Sequence, residues 1–468
     1  MVSRKSVEDF LTSIEKYEIR GTSADALVGT FVSILYVNRF EPISIPTLIK
    51  EIGSFWKQRL MVFFKKVNYP TFFENAPLLT VMSDRPHIHK MSAIIGGNLN
   101  TSFSRFFCYS PEIKLGTNDH VRVNYLSIPT KGNSTNEGRV FRQVVREFKQ
   151  FLRLHNLSPL RVFPFSYHLQ RQLGWVDFFE HTFQNGKPSF ILTEYDRFNE
   201  ITALISAAKS VGIPTITQVH GLLNVRYAYA PLVADHVFCW GEGQRETFRS
   251  WGVHPDQITV TGAVQLSNKR SSKIHLDFVP AFHERNTKVL VLATNPTEQI
   301  RENLISFFCD VLRLLPENWV GLVRLHPSES PKDYQPYVSL PERVFILNPD
   351  KVSYEESLAS ADAVAVFNSA FAIDALLVGI PTVQMNVSPD FPGAVDELVD
   401  KGFIQGFKST SDCAHYLQRL VSDKELMERV NDIHQSFQSF YCIACEHEAA
   451  QNMIAKIKQL EKNKLEIN

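Results

Sequence analysis

Three short runs in the second half of the chain have the residue types and spacing to hold an anion. They are Thr294-Asn295-Pro296, Arg324-Leu325-His326-Pro327 and Asn368-Ser369, and each follows an apolar run that reads as a strand. A fourth such strand end carries Asn386, with Asp390 and Glu397 beyond it. Arg324 supplies a permanent cation with forked donors. His326 supplies an imidazole, held in extended geometry by the proline that follows. Asn368-Ser369 opens a stretch of helical spacing. A helix start offers unpaired N–H groups and partial positive charge to a phosphate, though Asn and Ser also cap helices with no ligand at all. With Arg324 and His326 at a neighbouring strand end, a phosphate site is the favoured reading.

Proton-transfer chemistry is offered by the first half. Glu194, Asp196 and His220 follow strand-like runs, where a carboxylate or imidazole could take a proton from a hydroxyl. The run Thr193-Glu194-Tyr195-Asp196-Arg197 fits a solvated helix start equally well. Gly221 after His220 lets the backbone turn sharply toward a ligand. As a base, Glu194 ranks first, then His220, then Asp196. Cys442 and Cys445 form a lone CxxC, which reads as two thiols on one face of a helix rather than a zinc or redox centre. No Asp-x-Asp pair occurs, so no metal is expected. Gly241-Glu242-Gly243 lacks the last glycine of a dinucleotide fingerprint.

The elements that must position these residues alternate in type. Strands are expected at 78–82, 121–128, 190–193, 215–219, 236–240 and 258–262, then at 288–293, 319–325, 343–347, 363–367 and 382–385. Between them, helices are expected at 139–154, 199–211, 242–251, 298–315, 353–360 and 370–378. Such alternation implies parallel sheets with right-handed crossovers. Helices then run over 410–422 and, as one piece, 424–459. The expected fold class is α/β: two Rossmann-like domains facing a cleft, with helices at either end. The expected division is 1–77 helical, 78–266 first α/β domain, 267–286 linker, 287–422 second α/β domain and 423–468 helices.

Composition narrows the function. The 468 residues carry 49 Lys plus Arg against 49 Asp plus Glu. That balance argues against nucleic acid as partner, which needs a basic excess to release counterions. Hydrophobic content of 44% excludes a largely disordered chain. The most apolar run, 26–37, is interrupted by Gly29 and Ser33 and is too short to span a bilayer. The start lacks the apolar stretch of a secretory signal, and six cysteines make no disulfide framework, so a cytoplasmic protein is expected. Residues 56–67 have Trp56, Leu60, Phe63 and Val67 at helical spacing with lysine and arginine between. That pattern suits a core-packing helix with a basic face, or a peripheral contact with the inner face of the cytoplasmic membrane.

The run Ala361-Asp362-Ala363-Val364-Ala365-Val366-Phe367-Asn368-Ser369, then Asp374-Ala375-Leu376-Leu377-Val378-Gly379-Ile380-Pro381-Thr382-Val383, resembles the donor-binding domain of GT-B glycosyltransferases. The His326-Pro327 pair with a downstream serine resembles enzymes using CMP-linked sugars, such as sialyltransferases and Kdo transferases, and also the polyol-phosphate polymerases. Gly212-Ile213-Pro214-Thr215, Gln218-Val219-His220-Gly221 and Trp240-Gly241 are similar to bacterial surface-polysaccharide transferases, of capsule or lipopolysaccharide. The resemblance covers residues 189–387. It implies a nucleotide sugar as substrate, no cofactor, and an oligosaccharide or glycolipid acceptor. Thr294, Asn295, Arg324, His326, Pro327, Asn368 and Ser369 would then meet the donor phosphates, and backbone near Leu347, Asn348 and Ser353 the base and ribose. The paired glutamates of retaining members are missing, which implies inversion. The acidic-acidic-Gly motif of sialyltransferases is missing too. Three alternatives stand beside the glycosyltransferase: a UDP-sugar 2-epimerase of the same fold, a polyol-phosphate transferase, and a non-catalytic carbohydrate-binding scaffold.

Overall fold

A computed structural model describes residues 4–19, 22–37, 77–81, 86–99, 104–107, 120–121, 135–197, 199–223, 226, 229–269, 271–274, 276, 286–296, 298–326, 328–348, 351–388 and 395–467. The basic segment 56–67, Pro327, Asp390, Met82 and the strand expected over 122–128 lie outside the described residues. The chain divides into two compact units, one of 1–220, 225–265 and 446–468, the other of 221–224 and 266–445.

The first unit opens with α1 (Arg4–Glu15), the hairpin β1 (Glu18–Ile19) and β2 (Thr22–Ser23), and α2 (Ala24–Val37). There follow β3 (Leu78–Val81), α3 (Pro86–Leu99), β4 (Ser104–Phe107), β5 (His120–Val121), α4 (Thr135–Leu154) and α5 (Val162–Gln184). The unit continues through β6 (Ile191–Thr193), α6 (Asn199–Ser210), β7 (Thr215–Gln218), β8 (His236–Cys239), α7 (Glu242–Ser250) and β9 (Ile258–Val260). Its seven-stranded sheet runs β5-β4-β3-β6-β7-β8-β9, every pair parallel. Phenylalanine fills two cores. Phe10, Phe148, Phe151 and Phe165 join α1, α4 and α5. Trp175, Phe178, Phe179 and Phe183 of α5 pack on Ile201, Leu204 and Ile205 of α6.

The second unit holds β10 (Lys288–Ala293), α8 (Arg301–Leu314), β11 (Trp319–Arg324), β12 (Val344–Leu347), α9 (Tyr354–Ser360) and β13 (Ala363–Val366). Then come α10 (Phe371–Leu377), β14 (Thr382–Met385), α11 (Asp396–Asp400), β15 (Gln405–Phe407), α12 (Thr410–Ser422) and α13 (Lys424–Tyr441). Its sheet runs β12-β11-β10-β13-β14-β15, again all parallel. β10 and β13 are buried on both faces, which is why they read as unbroken apolar runs.

In both units the strand order reverses after the third strand, the Rossmann pattern whose switch point receives ligands. One local device recurs at the fifth strand of each sheet. Gly212 and Gly379 adopt positive φ, 75° and 72°, which favours glycine. Ile213 N–H donates to Ala208 O at 2.9 Å, and Ile380 N–H to Ala375 O at 2.8 Å. The same Gly-Ile-Pro-Thr stop therefore delivers α6 into β7 and α10 into β14.

The helix expected over 424–459 is broken. α13 ends at Tyr441, residues 442–445 are not helical, and α14 (Glu446–Ile467) starts afresh within the first unit, against α3. Cys442 and Cys445 thus lie between helices, not on one. Their positions continue the helical spacing, so only the backbone reveals the break. The short strand β15, and α3, β4 and α5, were not expected from the sequence; β15 is three mostly exposed residues with no apolar run.

Candidate functional site

The switch point of the second unit lies between β10 and β13. Asn295 follows β10 and Asn368 follows β13. The Asn295 side chain closes the gap, its Nδ2 donating to Asn368 O at 2.6 Å. Asn368 Oδ1 in turn accepts from Val395 N–H at 3.3 Å. Asn295 Oδ1 is buried with no hydrogen-bond partner. Ser369 sits two residues before α10, its Oγ 3.5 Å from Phe371 N–H. It remains half-buried at the carboxyl edge of the sheet.

Arg324, the last residue of β11, is half-buried beside them. Its guanidinium lies 4.8 Å from the Tyr354 ring centre and 5.9 Å from that of Phe371, and Nη1 donates to Ser357 Oγ at 3.3 Å. No carboxylate among the described residues forms an ion pair with it. Burial lowers its pKa from the ordinary arginine value, the signature of a cation whose lost hydration is not fully replaced. Tyr354 is fixed from behind, donating its hydroxyl to Asp374 Oδ2 at 2.6 Å. Burial and that carboxylate hold the phenol well above its usual range. A guanidinium braced by rings and short of a counter-charge is built to receive an anion.

His326 leads the next loop, and Glu329 anchors it. The buried Glu329 carboxylate accepts from Thr294 Oγ1 at 2.5 Å, from His326 N–H at 3.0 Å, and from the Tyr334 hydroxyl. Arg301 lies over the Tyr334 ring. The Thr294 hydroxyl is therefore committed inward, and Thr294 serves the loop rather than facing a ligand. The His326 side chain is exposed, and its Nδ1 accepts the Ser328 N–H at 3.2 Å. A backbone amide can only donate, so Nδ1 carries the lone pair and Nε2 the proton. His326 is a hydrogen-bond donor at Nε2.

In the first unit the three acid–base residues part company. Asp196 is fully buried, and its Oδ2 accepts from the Val233 and Ala234 N–H groups at 2.7 and 3.2 Å. Its neighbour Arg197 is equally buried, with Nη1 2.7 Å from Asp25 Oδ2. These two clamp loops together. Glu194 is 3% exposed. His220 alone is half-exposed, edge-on to Tyr195 and 3.2 Å from the Tyr229 hydroxyl. Its Nδ1 lies 2.9 Å from Glu194 O. A carbonyl only accepts, so here Nδ1 carries the proton and Nε2 the lone pair. The two histidines hold opposite tautomers.

Leu347 is a core side chain, 1% exposed. Asn348 O closes the following turn, accepting from Lys351 and Val352 N–H at 2.9 and 3.0 Å. Ser353 caps α9 reciprocally with Glu356. The Leu347 and Ser353 side chains are thus committed to the core and to the cap. The roles of Glu329, Tyr334, Tyr354 and Tyr229 were not visible in the sequence; a buried carboxylate or phenol announces itself only through its partners. Among the described residues no three His, Cys, Asp or Glu side chains gather as a metal site, and no helix is long and apolar enough to cross a membrane.

No protein-family model matches the chain, and no curated protein matches it in sequence. Solved structures do match in fold. UDP-GlcNAc 2-epimerase from Neisseria meningitidis, bound to UDP-GlcNAc, superposes with a TM-score of 0.53 at 15% identity, covering 82% of this chain and 100% of that one. S. aureus MnaA, in a UDP co-structure, gives 0.50 at 15% identity over 82% of this chain and 96% of that one. The calicheamicin glycosyltransferase CalG4 gives 0.50 at 10% identity over 82% and 98%. The chain has the GT-B fold, two parallel α/β domains, that these enzymes share.

Proposed function

We propose that the chain is a glycosyltransferase that moves a sugar from a nucleotide-activated donor to a saccharide or glycolipid hydroxyl. The observation that carries this reading is Arg324, a half-buried guanidinium at the switch-point edge with no ion-pair partner among the described residues. A donor phosphate supplies the missing charge. His326 donates from Nε2 to the same phosphate and stabilises it as a leaving group. Asn368 and Ser369 border the site. On the acceptor side His220, not Glu194, is the base in this reading. Its Nε2 holds the lone pair, and Glu194 O fixes the ring that takes the hydroxyl proton. Direct attack by that hydroxyl inverts the sugar's anomeric centre. A surface polysaccharide or lipopolysaccharide as the acceptor, at the inner face of the cytoplasmic membrane, belongs to the same proposal.

Two of the fold neighbours were solved with UDP-GlcNAc or UDP, so UDP-sugars head the donor panel, with CMP-sugars beside them. The test measures nucleotide release and follows the sugar by NMR, with and without oligosaccharide acceptors. Acceptor-dependent release supports transfer. Isomerisation of the lone nucleotide sugar would replace it with the 2-epimerase reading, and a phosphodiester product with the polyol-phosphate one. Binding without any turnover would leave a carbohydrate-binding scaffold.

A further inference from the structure

Between α13 and α14 the chain passes from the second unit to the first, and the two thiols of the CxxC sit in that link. Cys442 Sγ and Cys445 Sγ are 3.6 Å apart, and both residues are buried, at 4% and 7% exposure. Cys442 caps the end of α13 with extended backbone, φ −147° and ψ 91°. Its S–H donates to Ala444 O at 3.3 Å, which leaves sulfur lone pairs for Cys445. The next residue, Glu446, has φ 46°, in the left-handed region that a glutamate rarely enters. It is held there by Ala263 O, which accepts its N–H at 3.2 Å, and by Lys90, whose Nζ is 2.8 Å from its carboxylate. The start of α14 is therefore pinned, and the sulfur contact lies just before it.

The other described cysteines are different. Cys239, Cys309 and Cys413 are fully buried, and Cys309 and Cys413 belong to the core of the second unit. Burial pushes the Cys239 and Cys413 thiols up to about 12, away from the reactive thiolate. A disulfide needs sulfurs about 2.05 Å apart, so the pair must close by roughly 1.5 Å. Residues in a link outside both helices can rotate to do so without unwinding either.

We infer that Cys442 and Cys445 are a modification site, a dithiol that closes reversibly to a disulfide under a hydroperoxide. The more exposed Cys445 sulfur attacks the peroxide, the O–O bond breaks, and hydroxide leaves, giving a sulfenic acid. The Cys442 sulfur then attacks that sulfur, the S–O bond breaks, and water leaves. Two thiols and one hydrogen peroxide give one disulfide and two waters. Closure ties the end of α13 to the start of α14 and stiffens the link.

The full-length chain treated with hydrogen peroxide, then denatured and alkylated, should show two fewer reactive thiols than the six of the reduced chain. Peptide mapping should place the bond between Cys442 and Cys445, and a dithiol reductant should restore both. Amide exchange at 442–446 should slow in the oxidised form. Cys442→Ser and Cys445→Ser, tested separately so that one misfolding variant does not end the experiment, should each abolish the intramolecular bond. The inference is overturned if all six thiols stay alkylatable, if the bond maps to other cysteines, or if Cys445 passes to a sulfinic acid without pairing.

Discussion

Replacing Arg324 by Met should move ligand affinity and stability in different directions. The guanidinium has one side-chain hydrogen bond, to Ser357, and ring contacts with Tyr354 and Phe371. Losing those costs about 0.5–1.5 kcal/mol for the hydrogen bond and about 1–2 kcal/mol for the rings. Against that, removing a half-buried cation with no ion-pair partner recovers a desolvation penalty of several kcal/mol, and the Met side chain keeps the apolar contact with both rings. The ligand-free variant should therefore lie within about 1 kcal/mol of wild type in urea unfolding. Nucleotide binding should suffer much more. Charge-assisted hydrogen bonds to a phosphate are worth about 1.5–3 kcal/mol each, so a loss of about 2–4 kcal/mol weakens binding about 30- to 700-fold. Calorimetric titration with UDP, CDP, CMP, GDP and ADP reads this directly, starting from whichever nucleotide binds the wild type. The reasoning is refuted if Arg324→Met unfolds several kcal/mol more easily while nucleotide affinity is unchanged. Arg324 would then be a structural brace.

Further outcomes are expected. His326→Ala should lower turnover at least 100-fold with unfolding unchanged; near-normal turnover removes His326 from the site. Gly321→Ala places a Cβ within 2.8 Å of the Phe308 ring and closer still to Leu312. Displacing α8 should cost about 1–3 kcal/mol or more, and a wild-type melting temperature would contradict that packing. Asp25→Ala strands the buried Arg197 charge and should cost about 3–5 kcal/mol in chemical denaturation; a change under 1 kcal/mol would show that the pair is not buried. Burial raises the Asp196 carboxyl to about 6, against about 3.9 unfolded. The folded chain thus holds that proton more tightly, and this group's contribution falls by about 2 kcal/mol as pH rises from 4 to 6, within a total of about 3 kcal/mol lost from below the unfolded value to well above the folded one. Asp196→Asn should flatten that part of the stability profile; an unchanged slope assigns it to another group.

The parallel architecture was legible because strands buried on both faces must be continuously apolar. Lys288 to Ala293 shows this: five apolar residues in a row after the lysine give a strand with the expected bounds. Arg324, His326, Asn368 and Ser369 were also legible, because strand ends of one sheet share an edge. What the sequence hid was which polar groups are already occupied. Asp196 and Arg197 look like a solvated helix start, yet the partner of Arg197 is 172 positions away. Thr294 resembles a phosphate ligand until Glu329 is seen to accept its proton. The histidine tautomers depend on whether the nearest backbone group is an amide or a carbonyl, which no spacing encodes.

The placement of α14 sets an order on biogenesis. Ala449, Ala450, Met453, Ile454 and Ile457 are buried in the first unit, although they are translated after all of the second. Vectorial synthesis usually lets the earlier domain fold first. Here the later unit, which needs little beyond 266–445, can complete its sheet while the earlier one still lacks a helix. The first unit must wait on the ribosome with the α3 surface uncovered. A stalled or shortened chain would therefore leave the half that was made first unfinished, and that half carries His220.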